Sequence, residues 1–92
     1  MSRYDWDREK AEANVRKHGI TFAEAESVLR SPLARREPDF GPSTFEERVK
    51  VIGWSSLGAL LVVIVSVGGA KPRIISARRA TKRERHAYET RP

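Results

Sequence analysis

The early apolar positions recur at helical spacing. Ala11, Val15 and His18 fall at i, i+4 and i+7, a narrow stripe that predicts a helix from about Asp7 to His18. Asp5 or Asp7 can cap it, and Glu9 and Glu12 sit near its positive end. Gly19 is placed to end it in a left-handed conformation, with Ile20 as the next hydrophobic contact. Thr21-Phe22-Ala23-Glu24 reads as a capping box that opens a second helix, with Thr21 and Glu24 each satisfying the other. Phe22, Ala25, Val28 and Leu29 line one of its faces, and Ser31-Pro32 stops it.

The period then changes. Leu33 to Pro38 is a short strand or extended segment, and Asp39-Phe40-Gly41-Pro42-Ser43 is a loop. From about Glu46 to Trp54, Val49, Val51 and Gly53 alternate with Arg48, Lys50, Ile52 and Trp54, the pattern of a strand. Ser55-Ser56-Leu57-Gly58 turns the chain. Ala59 to Val67 is β-branched and apolar on both faces, which predicts the central, buried strand. Gly68-Gly69-Ala70-Lys71 makes a hairpin turn into a strand from Arg73 to Arg79, with Pro72 at its first position, where a missing N–H does least harm. Thr81-Lys82-Arg83-Glu84 is a second capping box, opening a helix to about Glu89. The expected fold is a single α+β domain over residues 1–92: two N-terminal helices, a small antiparallel sheet of three to four strands, and a C-terminal helix.

Composition narrows the function. A chain of 92 residues makes one domain with a small core. With no cysteine, disulfides and thiolate zinc sites are excluded. Met1-Ser2-Arg3-Tyr4-Asp5 has no apolar run behind a basic cluster, so no signal peptide is expected. The longest apolar run, Ala59 to Val65, is far shorter than the roughly 20 residues of a membrane-spanning helix. A cytoplasmic protein with no membrane partner is expected.

Charge is unevenly placed. Residues 1–70 hold ten Lys/Arg and ten Asp/Glu, whereas residues 71–92 hold eight basic residues against two acids and so carry the whole net charge of +6. Arg73, Arg78, Arg79, Lys82, Arg83 and Arg85 straddle a strand-to-helix junction. Charge on rigid elements suggests a surface aimed at a polyanion, most plausibly a phosphate backbone. Lys82 and Arg83 fall in a first helical turn, where cations oppose the helix dipole; a bound anion would relieve that, and so would an acidic neighbour such as Glu84. Trp54 either joins the core or stacks on a base beside these cations, and Trp6 reads as core.

Candidate chemistry is sparse. His18 and His86 are the two histidines, without a metal-ligand spacing, so neither a metal nor a cofactor is expected. His18, after Lys17, is either a helix-end cation or a general acid or base beside bound RNA. Glu47-Arg48 is either a solvated edge pair or a base with a phosphate ligand, on opposite faces of its strand. There is no Gly-rich phosphate loop, no Ser/His/Asp spacing and no nucleophilic cysteine. Metal-free RNA cleavage fits such a set: the 2′-hydroxyl of the substrate attacks the next phosphate while the protein supplies a base, an acid and cations.

Several pieces, in order and at these distances, resemble the BrnT toxin family. They are Trp6-Asp7-x-x-Lys10, Asn14-x-x-Lys17-His18-Gly19, Phe22-x-x-Ala25, Glu47-Arg48, Ile52-Gly53, and the run Arg73-Ile74-Ile75-Ser76-Ala77-Arg78-Arg79-Ala80 with Glu84-Arg85 and Tyr88. The resemblance spans Tyr4 to Tyr88. It implies a small ribonuclease toxin of a type II toxin–antitoxin pair, with a fold like that of the RelE and ParE toxins. It implies a BrnA-like ribbon-helix-helix antitoxin from an adjacent gene, through which alone operator DNA would be bound. It also carries over candidate catalytic roles for Lys17, His18, Glu47, Arg48, Arg78 and Arg79. Two other readings stay open: a non-catalytic nucleic-acid-binding regulatory module, and a ParE-like toxin acting on a protein target such as gyrase.

Overall fold

The computed structural model describes residues 3–39 and 47–90. The loop expected at Phe40, Gly41, Pro42 and Ser43, and the strand start expected at Glu46, lie outside these residues.

Helix α1 (Arg8–His18) and helix α2 (Phe22–Leu29) form as the stripes predict. The Asp7 carboxylate accepts the Lys10 N–H at 3.0 Å, and Gly19, at φ 71°, ends α1 by donating its N–H to the Val15 carbonyl at 2.8 Å. What α1 buries differs from the stripe. Val15 is exposed, and the buried residue is Asn14, which shares a face with Ala11 and His18. Its amide donates to the carbonyls of Ile20 (2.9 Å) and Ala77 (2.8 Å) and accepts the Ala77 N–H (3.1 Å). In α2, Thr21 Oγ1 accepts the Glu24 N–H at 3.0 Å, but the Glu24 carboxylate instead accepts the Ser55 hydroxyl at 2.7 Å. Phe22, Ala25, Val28 and Leu29 are buried, as expected.

The sheet corrects the expectation of three or four antiparallel strands. It has five, in the order β1-β5-β4-β3-β2, and it is mixed. Strands β2 (Arg35–Pro38), β3 (Arg48–Trp54), β4 (Leu60–Ser66) and β5 (Arg73–Arg79) pair antiparallel, and β1 (Asp5–Trp6) pairs parallel with β5. A two-residue strand has no alternation to read. It exists because the outer edge of β5 needs partners: the Asp5 N–H donates to the Pro72 carbonyl at 2.9 Å. Trp6 packs edge-on to Phe22, ring centroids 6.0 Å apart, and so belongs to the core. β1 reaches only to Ile74, so Asn14 takes over further along and satisfies the N–H and carbonyl of Ala77.

β4 is central and two-sided. Leu61, Val63 and Val65 pack under α1 and α2 with Val51, Ile74 and Ala77, while Leu60 and Val62 pack with Ile52 on the other face. A register shift between Ile64 and Val65 leaves Ile75 as a bulge, since Ser76 pairs with Ile64 and Ile74 with Val65. The bulge sends both Ile74 and Ala77 to the helix side, although they are an odd three positions apart. Gly53 lets α2 and the following loop lie close on β3: a Cβ there would meet Ala34 Cβ at 3.0 Å and Val28 Cγ1 at 3.2 Å. Helix α3 (Lys82–Thr90) covers part of the second face and buries none of its residues fully.

Asn14→Leu should show what the edge bond is worth. It strands the buried N–H and carbonyl of Ala77, at about 1–3 kcal/mol for each unsatisfied group. The expected loss, read from urea unfolding, is about 3 kcal/mol. A loss below about 1 kcal/mol would mean that water replaces the amide and that α1 is held by packing alone.

Candidate nucleic-acid interface

Strand register places the charged side chains. Residues directly opposite across paired strands share a face, so Arg48, Lys50, Ile52 and Trp54 of β3 lie on the α3 side with Leu60, Val62, Ile64 and Ser66 of β4. Arg35 and Glu37 of β2 join them, as do Arg73, Ser76 and Arg78 of β5. The bulge at Ile75 is what brings Arg73 and Arg78 to one face. Five cations (Arg35, Arg48, Lys50, Arg73 and Arg78) therefore share a sheet face that a nine-residue helix covers only in part.

Glu84 ties α3 to that face. Arg78 donates through both terminal nitrogens, at 2.7 Å to Oε1 and 3.0 Å to Oε2. Lys50 Nζ lies 3.2 Å from Oε2 and 3.6 Å from Glu37 Oε1. The Thr81 N–H donates to Oε1 at 2.9 Å while Thr81 Oγ1 accepts the Glu84 N–H at 3.1 Å, so this capping box closes both ways. Chiefly through the Arg78 hydrogen bonds, then those from Thr81 and Lys50, and against partial burial, the Glu84 carboxyl is held well below the usual carboxylate range. The Arg78 guanidinium is correspondingly pushed up, first by its hydrogen bonds to Glu84. One turn on, Tyr88 packs on Ile52, Leu60 and Val62 and donates its hydroxyl to the Leu33 carbonyl at 2.9 Å, with Arg35 over its ring at 5.4 Å. Arg35, Glu37, Lys50, Glu84 and Tyr88 line a small cavity of about 110 Å³.

The other candidates are spread around this centre. Arg85 lies over the Trp54 ring at 5.0 Å, so one face of that ring is taken by a guanidinium and closed to a base. Lys82 and Arg83 are exposed at the start of α3. Glu47 and Arg48 line an open cleft of about 580 Å³ with Arg36, Glu37, Asp39 and Val67. There Arg48 Nε is shielded from solvent and has no hydrogen-bond partner among the described residues. Arg73 pairs with Asp5 at 3.2 Å, an exposed contact worth little.

The structure does not bring His18 and Glu47 together. Asp5 pairs at Arg73 and Asn14 reaches Ala77, so α1 runs the same way as β5 and carries Lys17 and His18 toward the Arg79 end. Glu47 sits at the opposite end, its carbonyl accepting the Val67 N–H at 3.0 Å. The intervening length of β3 is about 20 Å at strand rise. Arg79, opposite Leu61, faces the α1 and α2 side, away from Arg78. Sequence reasoning passed over Lys50 and Glu37. Lys50 was visible as the lone charge inside β3, but nothing local says that it meets a helix-cap carboxylate 34 positions on.

Glu84 makes stability depend on pH in a defined window. Its folded-state value is depressed, so its contribution is full above the ordinary value of 4.5 and drains away as pH falls below it. Urea midpoints of the wild type and Glu84→Gln should differ most near neutrality, draw closer as pH falls below about 5, and meet only in strong acid, below the usual carboxylate range. A constant gap across that range would mean that Glu84 acts through packing and not through its charge.

Comparison with known proteins bears on this arrangement. The family described as "Ribonuclease toxin, BrnT, of type II toxin-antitoxin system" matches residues 6–84. The crystal structure of the Brucella abortus ribonuclease toxin BrnT is similar, with a TM-score of 0.64 and 28% identity over 86% of this chain and 96% of that one. No curated protein sequence gives a match. A family match over nearly the whole chain, from β1 to the Glu84 hub, places this protein in the BrnT family of ribonuclease toxins of type II toxin–antitoxin systems.

Proposed function

We propose that this protein is an endoribonuclease toxin that cleaves RNA by metal-independent acid–base chemistry, on a fold of the RelE and ParE kind. The observation that supports it best is the common face of Arg48, Lys50, Arg73 and Arg78, edged by Glu37 and Glu47. A single-stranded backbone laid across that face meets a cation at several phosphates. Arg73, Arg78, Lys82, Arg83 and Arg85 hold the strand, and Trp54 offers only its open side to a base. At the cleft, Glu47 takes the proton of a 2′-hydroxyl, whose oxygen attacks the adjacent phosphorus. The P–O5′ bond breaks and the departing O5′ takes a proton from water in the open cleft, leaving a 2′,3′-cyclic phosphate and a 5′-hydroxyl. Arg48, which lines the same cleft, stabilises the charge that builds on the phosphoryl oxygens. Lys17, His18 and Arg79, remote from this cleft, act in binding and not in the chemical step.

The protein works in the cytoplasm and is silenced by a BrnA-like ribbon-helix-helix antitoxin, which also supplies the contact with operator DNA. The antitoxin covers part of the Arg78–Arg85 surface, with apolar anchors giving most of the affinity and charge the speed of encounter.

Purified protein and free RNA test the reading. Cleavage should survive excess chelator and leave cyclic phosphate ends. Glu47→Gln should lower kcat by about 10²–10⁴-fold, the range of a lost general base, while His18→Gln changes it far less. Arg48→Ala should flatten the salt dependence of RNA affinity by about 0.7 in log–log slope, one phosphate on a single strand. Activity lost in chelator and restored by a divalent ion would overturn the metal-free chemistry, and RNA bound but never cut would leave a non-catalytic module. Saturating antitoxin should protect RNA and shield Arg78, Arg79 and Arg83 from an arginine-modifying reagent. If the complex forms with those arginines still reactive, inhibition acts elsewhere.

A further inference from the structure

Four donors converge on the Glu84 carboxylate: two from Arg78, one from Lys50 and the backbone N–H of Thr81. Such a set suits a phosphate equally well, because a guanidinium fork and a free helix N–H both match its oxygens. The cluster is near the surface. Side-chain exposure is 39% for Arg78, 26% for Lys50 and 19% for Glu84, and the cavity beside it opens between Lys50, Glu84 and Tyr88. Because these side chains are only partly buried, an anion from solvent can reach the same donors and compete with the carboxylate for them. Nor does α3 hang on Glu84 alone, since Tyr88 and the Arg85–Trp54 contact also hold it.

We propose that Lys50, Arg78 and the Thr81 N–H form an anion cradle in which the Glu84 carboxylate is a resident competitor for phosphate, so that Glu84 sets how tightly this face holds a nucleic-acid backbone. That the phosphate comes from RNA rests on the function proposed above; the cradle itself does not. It adds Lys50 to the binding residues and gives Arg78 two states, one on Glu84 and one on phosphate. Neutralising Glu84 frees two cations and should tighten binding, the reverse of what loss of a purely structural ion pair would do.

Inorganic phosphate titrated into the isotope-labelled wild type reads the cradle without RNA and without mutation. The amide resonances of Thr81 and Glu84 should move together and saturate; if they stay fixed, the cradle is wrong. In parallel, Glu84→Gln should bind a 2′-deoxy single-stranded oligonucleotide, which it cannot cut, more tightly than the wild type. Its log–log salt slope should be steeper by about 0.7–1.4, for one or two added phosphates. Lys50→Gln or Arg78→Gln placed in the Glu84→Gln background should remove the gain. A folded Glu84→Gln protein with wild-type affinity and slope overturns the proposal, and if that variant does not fold, the phosphate titration decides. Wild-type protein that cuts RNA while phosphate leaves Thr81 and Glu84 unmoved refutes the cradle and keeps the ribonuclease. Phosphate binding at Thr81 and Glu84 without any RNA binding does the opposite.

Discussion

β4 offers apolar side chains to both faces of the sheet, so both faces must be covered. Leu61, Val63 and Val65 find α1 and α2, whose own apolar faces supply Phe22, Ala25, Val28 and Leu29. Each of these side chains other than Ala25, when fully buried, contributes about 1.5–3 kcal/mol. Among the described elements, the opposite row, Leu60, Val62 and Ile64, has α3 alone to cover it. That helix is mostly charged and buries no residue fully. It is held by specific contacts in place of an apolar stripe: Glu84 on Arg78 and Lys50, Tyr88 on Ile52 and the Leu33 carbonyl, and Arg85 on Trp54. The two layers are therefore unequal, one a packed core and the other a polar clasp over a small apolar patch.

This inequality is what gives the second face its character. A helix that packed by apolar burial would close the face and leave no room for charge. A short polar helix leaves Arg48 to line an open cleft and Arg73 exposed at the same end of the sheet. The same contacts that fix α3 also collect cations around one carboxylate. On the proposed function, stability and binding draw on the same side chains, so that Lys50, Arg78 and Glu84 cannot be tuned for one without changing the other.

The edge of β5 shows a second economy of means. β1 pairs with it for two residues, and Asn14 then finishes the work with a side-chain amide that imitates a strand backbone, accepting one N–H and donating to one carbonyl of Ala77. The amide also ties Ile20 to the sheet, so one residue fixes the angle at which α1 leaves for α2. An apolar residue in its place would fit the helical stripe better and leave the strand edge unsatisfied.

Apart from β1, the sequence by itself determined the elements and their order. Helical spacing, the two capping boxes, Gly19 and the two-faced run of β4 are local signals, each set by residues within a turn or a strand of one another. β5 came out with the bounds read from sequence, and β4 as the central strand. The run Arg73 to Ala80 also carried the family resemblance, which the match over residues 6–84 supports. The tertiary structure alone decided what lies beside what. Regular alternation would have set Arg73 with Arg79; the bulge at Ile75 sets it with Arg78, because β4 needs both Ile74 and Ala77 on its helix side. Capping chemistry foretold that Glu84 would turn back to Thr81, but its bonds to Arg78 and Lys50 depend on where α3 lands. The stripe of Ala11, Val15 and His18 passed over Asn14, whose amide serves a strand edge 63 positions away. Spacing along a chain encodes the face a residue lies on, and only packing says which other face it will meet.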